Sequence, residues 1–388
     1  MEARESTLSE RLQTGFLGFI AFALLLVMLV QAQFLLICLC ISVIIFSLTS
    51  DAISAFARLK VPNWLATVLA LLMITVGLLW LTTTLAAQIN EIVSTAVTYS
   101  EKAQQMLPDL LDWMGPKSQS AVETVIASFN VSGWIRSLAS QASNMMSAVI
   151  LILTFVGFMF AERYWFPIKI ERLAGSDERA IKVLTIINSI MRRVNRYLVV
   201  KAIVSSVTAT LVWVIFRAAG LDLAGPIAML TLILKFIPTI GSIMATIIAI
   251  LLVLAQTANV SETVVVGLAC TTVHFCIGNI IEPMLLGQTL RMSSFGIVLS
   301  LAVWGAVWGL AGMFLSVPIM AAVMIICAHI PWLRPVAIIL SHEGQPDDVD
   351  EPSSGDDQVM ALRELWTASN HAELDAARKA GRRARKHR

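Results

Sequence analysis

Charged residues are scarce in this sequence of 388 residues: 14% are Asp, Glu, Lys or Arg, whereas 57% are hydrophobic. A soluble globular protein has about 25% charged residues because its surface must be hydrated. The apolar residues also lie in runs near or above the ~20 residues with which a helix crosses a hydrocarbon core. The formal net charge is only +2, so no basic surplus points to a nucleic acid partner. The sequence therefore predicts an all-α polytopic membrane protein.

The motifs of disulfide frameworks, metal sites and common enzymes are also missing. The five cysteines lie inside apolar runs without a Cys-x-x-Cys pair, so they are interpreted as small hydrophobic residues. No Gly-rich loop is followed by Lys-Ser/Thr, which excludes ATP-driven transport by this chain alone. Ser242 lacks the second glycine of a Gly-x-Ser-x-Gly elbow, which disfavours an intramembrane serine protease that pairs Ser242 with His274. We predict no enzymatic activity, no cofactor and no metal site.

Uninterrupted apolar length predicts eight transmembrane helices. They lie near residues 12–30, 33–50, 63–87, 144–161, 197–217, 263–282, 294–313 and 314–331. The first is interpreted as a retained span and not as a cleaved signal peptide, because Glu2, Glu5 and Glu10 outnumber the neighbouring basic residues.

One further apolar stretch, residues 225–255, is interrupted at its middle by Lys235, Pro238 and Gly241. Proline removes a backbone donor and clashes with the preceding turn. Irregular backbone at membrane depth is tolerated only where protein or a water-filled cavity surrounds it. The stretch is therefore predicted to fold back as a re-entrant hairpin of two half-helices.

Small residues also mark the last apolar region, residues 294–331. Gly305 and Gly309 have the Gly-x-x-x-Gly spacing, which predicts close helix packing within the protomer, with a subunit contact as the alternative. Gly312 and Pro318 are predicted to interrupt the following span. This region and the broken stretch at 225–255 are hypothesised to be two halves of an internal repeat.

The distribution of Lys and Arg predicts that both termini are cytoplasmic. Of the 28 Lys and Arg, only Lys102, Lys117 and Arg136 fall in loops that this topology places on the opposite side. Four regions follow: N-terminal transmembrane helices at 1–87, an extracytoplasmic amphipathic helical insert at 88–143, a transmembrane transport core at 144–341, and a cytoplasmic linker with a basic tail at 342–388.

Two of these regions have alternative interpretations. The apolar spacing of three and four residues within 88–143 predicts a helical cap, or else helices that lie on the bilayer or against sister subunits. The polybasic end of the tail suits contact with anionic lipid headgroups, and simple solvation is the alternative.

Ionisable residues within the core are predicted to mark a transport path. Charged groups inside a bilayer cost at least a few kcal/mol each, so those that remain usually line a polar cavity or pair with one another. The candidates are Lys235, His274, Asn279, Glu282 and Arg291. Helical spacing allows His274, Asn279 and Glu282 to share one face. The alternative is structural: Lys235 and Glu282 form one ion pair or extend to opposite interfaces.

Three ordered motifs resemble the AI-2E family of bacterial transporters, which includes the exporter of the quorum signal autoinducer-2. They are Lys235-Phe-Ile-Pro-Thr-Ile-Gly241, Gly278-Asn-Ile-Ile-Glu-Pro-Met-Leu-Leu-Gly-Gln-Thr-Leu290, and Leu299-Ser-Leu-Ala-Val-Trp-Gly305 followed by Gly309 to Pro318. The resemblance covers roughly residues 10–340. Ser242 and Leu310-Ala311 depart from it, since the family often has proline after the corresponding glycines.

The resemblance implies a permease that moves small molecules or ions along a gradient, as a homo-oligomer for which pentamers are described. We expect a secondary transporter or facilitated exporter of a small polar metabolite, autoinducer-2-like, in the bacterial inner membrane. Its gate and helix breaks are expected at Pro238, Gly241, Pro283, Gly287, Gly312 and Pro318. Lys235 would attract an anionic or diol-rich solute, and Glu282 would carry a coupling proton. A sodium/proton antiporter and a non-transporting membrane scaffold are the alternatives.

Overall fold

The fold was obtained as a computed structural model, which describes residues 2–57, 65, 67–88, 91, 131–163, 165–257, 259–286, 292–342 and 344. The first half contains α1 (Glu2–Gln31), α2 (Gln33–Ala57), α3 (Thr67–Gln88), α4 (Val131–Glu162), α5 (Phe166–Ala174) and α6 (Asp177–Ala218). The second half contains α7 (Ala224–Leu234), α8 (Ile240–Thr257), α9 (Val260–Cys276), α10 (Glu282–Leu286), α11 (Ser294–His329) and α12 (Arg334–Leu340). A π-helical turn, Ile277–Ile281, joins α9 to α10.

Six helices are long and apolar enough to cross a membrane, so the predicted all-α polytopic membrane protein is confirmed. They are α2, α3, the apolar part of α4, α6, the continuous run from α9 to α10, and α11, which is counted at its full length although its chain reverses at Gly309. The predicted count of eight differs from this number in two places. The first predicted span corresponds to a shorter apolar segment of α1, Phe16–Gln31, and the last two both lie within α11.

α7 and α8 form a helical hairpin whose turn contains Lys235 to Thr239. Their bases pack together, since Ile227 of α7 belongs to one hydrophobic cluster with Ala249 and Val253 of α8. α7 has 11 residues, and a helix of that length reaches only ~16 Å. This is about half of a hydrocarbon core of ~30 Å. The chain therefore folds back at the central Lys and Pro as predicted, and its first arm is too short to cross the core alone.

α11 is also a hairpin, because its chain reverses at Gly309. Gly309 has φ 61° and ψ −139°, a conformation essentially restricted to glycine. The hydroxyl of Ser300 donates to the carbonyl of Ser316 at 2.8 Å. In a straight helix these residues would be separated by about 24 Å. The predicted boundary between two spans at 313 and 314 is therefore wrong, since the chain turns at Gly309.

The glycines of this second hairpin have roles that differ from the predicted ones. Gly309 forms the turn and does not pack a continuous helix, whereas Gly305 lies where an added Cβ would be 2.8 Å from Cε of Met313. Gly312 is helical, and an added Cβ there would lie 1.9 Å from the carbonyl oxygen of Trp304. Pro318 is buried inside the second arm without interrupting it. Gly312 and Pro318 are thus not helix breaks.

One predicted region boundary falls within a described helix. α4 runs without interruption from Val131 to Glu162, so the predicted boundary at 143 and 144 lies inside a helix. Most of the predicted insert, residues 89–90 and 92–130, lies outside the described residues. The predicted tail beyond residue 344 also lies outside them.

α6 holds the centre of the fold because it is long and packs on several other helices. It has 42 residues, a length of ~63 Å. Its N-terminus is capped by Ser176, whose side chain accepts from the backbone of Arg179, and Asp177 and Glu178 occupy its first turn. Acidic residues there stabilise the positive end of the helix dipole. α6 contacts the α7/α8 hairpin, the α9–α10 run and the α11 hairpin, so it carries the side chains that lie between them.

Candidate transport site

A stripe of polar side chains lies along the buried side of α6. Tyr197, Lys201, Ser205 and Thr208 are spaced by four, four and three residues, which places them on one face of the helix. Each is at most 3% exposed, although this part of α6 is otherwise rich in Val, Ile and Leu. Burial of such groups costs free energy unless they find hydrogen bonds or opposite charge. These buried polar side chains therefore need hydrogen bonds or opposite charge from the facing helices.

Lys201 finds such a partner in Glu282, which stands at the start of α10. Its ammonium donates to Oε1 of the carboxylate in an ion pair whose side chains are 2% and 15% exposed. The sequence-based prediction missed Lys201, because it was counted with the basic residues that flank the inner end of the span. The sequence does contain a feature that marks Lys201 as a buried charge: it stands between Val200 and Ala202 inside an apolar run and not at its edge.

Lys235, a predicted path residue, is 1% exposed at the turn of the α7/α8 hairpin. Its ammonium donates to the hydroxyl of Ser242 at 3.0 Å, and this is its only hydrogen bond among the described residues. The ammonium also lies against the backbone of Gly278, where an added Cβ would be 3.3 Å from Nζ. The hairpin turn thus places the lysine against the junction of α9 and the π-helical turn.

The turn is held in a tight conformation that its sequence makes feasible. Gly241 lies in the first turn of α8, and an added Cβ there would lie 1.6 Å from the carbonyl oxygen of Leu234. Thr239 has a positive φ of 60°, which is unusual for a β-branched residue. Pro238 precedes it within the turn. The ends of α7 and α8 thus lie close together behind Lys235. The missing side chain of Gly241 leaves room for the carbonyl of Leu234, and Thr239 takes the strained φ that this tight turn requires.

The predicted shared face of His274, Asn279 and Glu282 is divided by the π-helical turn. His274 is buried, whereas Asn279 is exposed and donates to the carbonyl of Phe275 in its own helix. The backbone N–H of Glu282 bonds to the carbonyl of Ile277, five residues back, which shifts the register of the helix. Asn279 therefore does not join the polar groups that Lys201 and Lys235 contact.

Pro283 explains where the π-helical turn occurs. Proline has no N–H and its ring clashes with the carbonyl four residues earlier, here that of Asn279. The helix accommodates this clash by widening at Ile277–Ile281 and then continues as α10. Pro283 thus widens the helix without ending it. Arg291 and Gly287, the remaining predicted path and break residues, lie outside the described residues.

Four buried polar atoms near the lysines have no hydrogen-bond partner among the described residues. They are the hydroxyls of Tyr197, Ser205 and Thr231, and Nδ1 of His274. Ser205 is one helical turn from Lys201, Thr231 is one turn from Lys235, and His274 is one turn from Gly278. Buried polar groups are normally paired, so each unpaired one requires an explanation such as a bound polar molecule.

Together these groups form one polar seam, which comprises Tyr197, Lys201, Ser205, Thr231, Lys235, Ser242, His274 and Glu282. The charges within it interact, since both Glu282 and Lys201 act electrostatically on Lys235. Two lysines face one carboxylate, so the seam has a formal surplus of one positive charge before His274 is counted. Among the described residues, no cluster of His, Cys, Asp and Glu has the size of a metal site.

The turn of the first hairpin meets the second arm of α11 next to this seam. Phe236 follows Lys235 in the first hairpin, and its ring centroid lies 4.9 Å from that of Phe314 in the second arm of α11. Trp308, adjacent to the Gly309 turn, donates from its indole nitrogen to the carbonyl of Leu29 in α1 at 3.0 Å. An aromatic contact between the two hairpins thus lies one residue from the buried lysine.

Comparison with known proteins identifies relatives of the whole described core. The family model for AI-2E family transporters matches residues 17–332. The AI-2 transport protein TqsA of Escherichia coli (strain K12) is 29% identical over 288 residues, which are 73% of this chain and 83% of TqsA. YhhT of the same strain is 30% identical over 273 residues, 68% of this chain and 76% of YhhT.

A protein of Borreliella burgdorferi is 27% identical over 241 residues, 61% of this chain and 66% of that relative, so the chain spans about two thirds of its length. The matched range of the family model contains all three motifs that carried the resemblance, as well as both hairpins and the polar seam. The family supports a role in membrane transport. This multi-pass membrane protein therefore belongs to the AI-2E transporter family.

Proposed function

We propose that the chain is a secondary transporter or facilitated exporter of a small polar metabolite across the bacterial inner membrane, and that the polar seam is its solute site. The observation that carries this proposal is a set of unpaired buried polar atoms around two buried lysines. Such groups are costly in a purely structural core. The free-energy cost of burying them is offset if a hydrophilic solute completes their hydrogen bonds during passage.

Lys235 would bind the solute directly, since this ammonium uses only one of its three N–H donors on Ser242. The hydroxyls of Thr231 and Ser205 would accept or donate to hydroxyl groups of the solute. The name of TqsA refers to AI-2, so an autoinducer-2-like molecule with several hydroxyl groups is the first compound to assay. Hydrogen bonds to its oxygens would satisfy the buried groups that have no partner among the described residues.

The gate of this transporter would be the contact between Phe236 in the first hairpin turn and Phe314 in the second arm of α11. Phe236 and Phe314 are held by dispersion and ring packing alone, without a hydrogen bond between them. Both turns contain conformations that need glycine or tolerate strain, at Gly309 and at Thr239. Separation of the two rings would open the seam on one side while the hairpin bases stay packed. Pro238 supports this role by keeping the first turn short.

Glu282 would couple transport to protons through its ion pair with Lys201. Protonation of the carboxylate removes the charge that Lys201 contacts, so the lysine becomes free to bind an anionic or polar solute. A Glu282→Gln variant keeps the shape of the side chain and abolishes this titration. In proteoliposomes, we expect wild-type flux to vary with pH and the variant's flux to be independent of it. Unchanged rate and unchanged pH dependence in Glu282→Gln would contradict proton coupling.

A sodium/proton antiporter is the second candidate, and the same buried acid favours it. In that case sodium and a proton would compete for Glu282, and Lys201 would stabilise the empty carboxylate. Sodium added to proteoliposomes that contain a pH-sensitive dye distinguishes the candidates. Proton movement without any metabolite indicates the antiporter, whereas solute flux without a sodium requirement indicates the exporter.

Orientation and assembly remain part of the proposal. We expect both termini on the cytoplasmic side and a homo-oligomer, with a pentamer as the family-based expectation. Protease access to a C-terminal tag in right-side-out and inverted vesicles tests the orientation, and native mass spectrometry tests the subunit number. Deletion of residues 343–388 should leave transport intact, while loss of all activity would favour the scaffold interpretation and contact of the tail with anionic lipids.

A further inference from the structure

We infer that the polar seam selects a solute that carries one negative charge together with hydroxyl groups. The inference rests on the proposed transport function and names the solute class for the same site. Its basis is the balance of charge and of hydrogen bonds among the eight seam residues. A neutral polyol and a dianion of equal size are the solutes that the seam should discriminate against.

The positive charge of Lys201 is already balanced, whereas that of Lys235 is not. Lys201 contacts the carboxylate of Glu282 directly, and this is the acidic group that reaches the seam among the described residues. Among the described residues, Lys235 donates a hydrogen bond only to the neutral hydroxyl of Ser242, and Glu282 acts on it electrostatically without a hydrogen bond. A buried charge without a partner is among the most costly arrangements in a protein interior. A solute with one negative charge would balance Lys235 without disturbing the Lys201–Glu282 pair.

The ammonium of Lys235 has hydrogen-bond donors left for such an anion. Gly278 presents no side chain towards the ammonium, and even a methyl group there would approach Nζ to 3.3 Å. Lys235 retains two N–H donors that no described residue accepts. An oxyanion is the strongest acceptor for them, because charge-assisted hydrogen bonds are about twice as strong as neutral ones.

The unpaired hydroxyls add a requirement for hydroxyl groups in the solute. Thr231 lies one helical turn before Lys235, and Ser205 lies one turn after Lys201 on the facing helix α6. Both are fully buried without a hydrogen-bond partner among the described residues. A hydroxyl group serves such positions well because it donates and accepts at once. A simple halide would balance the charge but would leave these hydroxyls unpaired.

A dianion would need a second unpaired cation in the seam. The other lysine of the seam, Lys201, is already paired with Glu282. To bind a dianion, Lys201 would have to leave Glu282, which would strand a carboxylate beside the dianion. Replacement of Glu282 by glutamine should remove this obstacle and raise the positive surplus of the seam by one. The charge preference should then move from monoanion towards dianion, which is a signature that a merely structural ion pair would not give.

Three four-carbon probes test the inference because they differ mainly in charge: erythritol is neutral, erythronate is a monoanion and tartrate is a dianion. Binding to the purified full-length protein is measured by isothermal titration calorimetry. We expect the wild type to bind erythronate about tenfold more tightly than either of the others. Equal or weaker binding of erythronate relative to erythritol overturns the inference.

The variants assign the preference to the seam. Lys235→Gln should remove the advantage of erythronate over erythritol, and Glu282→Gln should raise the affinity for tartrate about tenfold. Lys169→Gln is the matched control, because Lys169 pairs with Glu162 at an exposed position far along the chain from the seam. Circular dichroism melting shows whether each variant is folded. Loss of the preference in Lys169→Gln as well, or its retention in folded Lys235→Gln, contradicts the assignment.

Flux of the same probes separates this inference from the proposed function. If proteoliposomes move erythritol but not erythronate, transport stands and the anion class is wrong. If neither probe crosses faster than it crosses protein-free vesicles, and autoinducer-2 does not cross either, the proposed function fails with it. Erythronate uptake that Lys235→Gln abolishes supports both.

Discussion

Lys201 and Glu282 are 81 positions apart in the sequence, yet the lysine ammonium donates directly to the glutamate carboxylate inside the protein. The contact joins the middle of α6 to the end of the π-helical turn. It places the acid beside the hairpin that carries Lys235. Five predictions follow from this arrangement and from the two hairpins around it.

Removal of one partner of this ion pair should cost more stability than removal of one partner of an exposed pair. Lys201→Met leaves the Glu282 carboxylate without its partner, and we expect a loss of about 3–5 kcal/mol in the free energy of unfolding. Lys201→Met combined with Glu282→Leu should recover much of this loss, because no buried charge remains. Denaturant unfolding of the single and double variants measures the coupling as a double-mutant cycle. A double variant as unstable as the sum of the single ones would show that the pair is not coupled.

Gly278 should be required for function more than for folding. In Gly278→Ala the new methyl group displaces the Lys235 ammonium by a few tenths of an ångström, so solute affinity should fall while stability changes little. Gly157→Ala is the control, since no atom lies within 4 Å of a Cβ added there and helix propensity favours alanine. Flux at subsaturating solute and thermal melting are compared. Equal flux in both variants contradicts a role for the space at Gly278.

Replacement of Gly309 should destabilise the turn of the second hairpin. Gly309→Ala forces a non-glycine residue into φ 61° and ψ −139°, at a cost of about 1–3 kcal/mol. Gly77→Ala in α3 has open space around the added Cβ and should retain wild-type stability. Thermal melting of both variants measures the difference. Equal melting temperatures would mean that the chain does not turn at Gly309.

Gly312→Ala tests the closeness of the two arms and not the turn. The added Cβ would lie 1.9 Å from the carbonyl oxygen of Trp304, and this backbone atom cannot move without shifting its helix. We expect a greater loss of stability than for Gly309→Ala, together with separation of the arms. A disulfide between cysteines introduced at Ser300 and Ser316 should form readily in an otherwise cysteine-free protein and poorly in that protein with Gly312→Ala. Equal disulfide yields would contradict close packing.

The aromatic contact between Phe236 and Phe314 should limit passive leakage of the solute. Phe236→Ala removes one of the two rings, so efflux of preloaded solute without a gradient of protons should rise severalfold. Phe46→Ala is a matched control, because Phe46 and Phe160 also have ring centroids 4.9 Å apart but lie between α2 and α4. Both variants lose similar packing, and only the first should leak. Equal leakage would indicate general loosening of the protein instead of an opened gate.

Some features of the fold were predictable because they depend on residues close together in the chain. Pro238 and Lys235 in the middle of an apolar stretch exclude a straight lipid-facing helix, so the first hairpin follows from local chemistry. The second hairpin was harder to predict, since Gly309 lies in a Gly-x-x-x-Gly pattern that continuous helices also use. Only its φ and ψ angles distinguish a turn from a packing surface.

The candidate site was predicted in part for a similar reason. Lys235, His274 and Glu282 stand out as ionisable residues in apolar segments, and the structure places all three in the polar seam. Lys201 did not stand out, because a lysine near the start of a predicted span is also typical of the membrane interface. Asn279 was grouped with Glu282 on the assumption of a regular α-helix, and the π-helical turn before Pro283 changes that register.

The amino-acid sequence by itself determined that the chain enters the membrane many times, that one stretch folds back at Lys235 and Pro238, and which family it belongs to. These properties follow from apolar length, proline chemistry and ordered motifs. The tertiary structure alone decided that Glu282 pairs with Lys201 and not with Lys235, and that Phe236 meets Phe314. Pairings between distant helices depend on how their faces are rotated and packed, and no local spacing in the chain specifies that rotation.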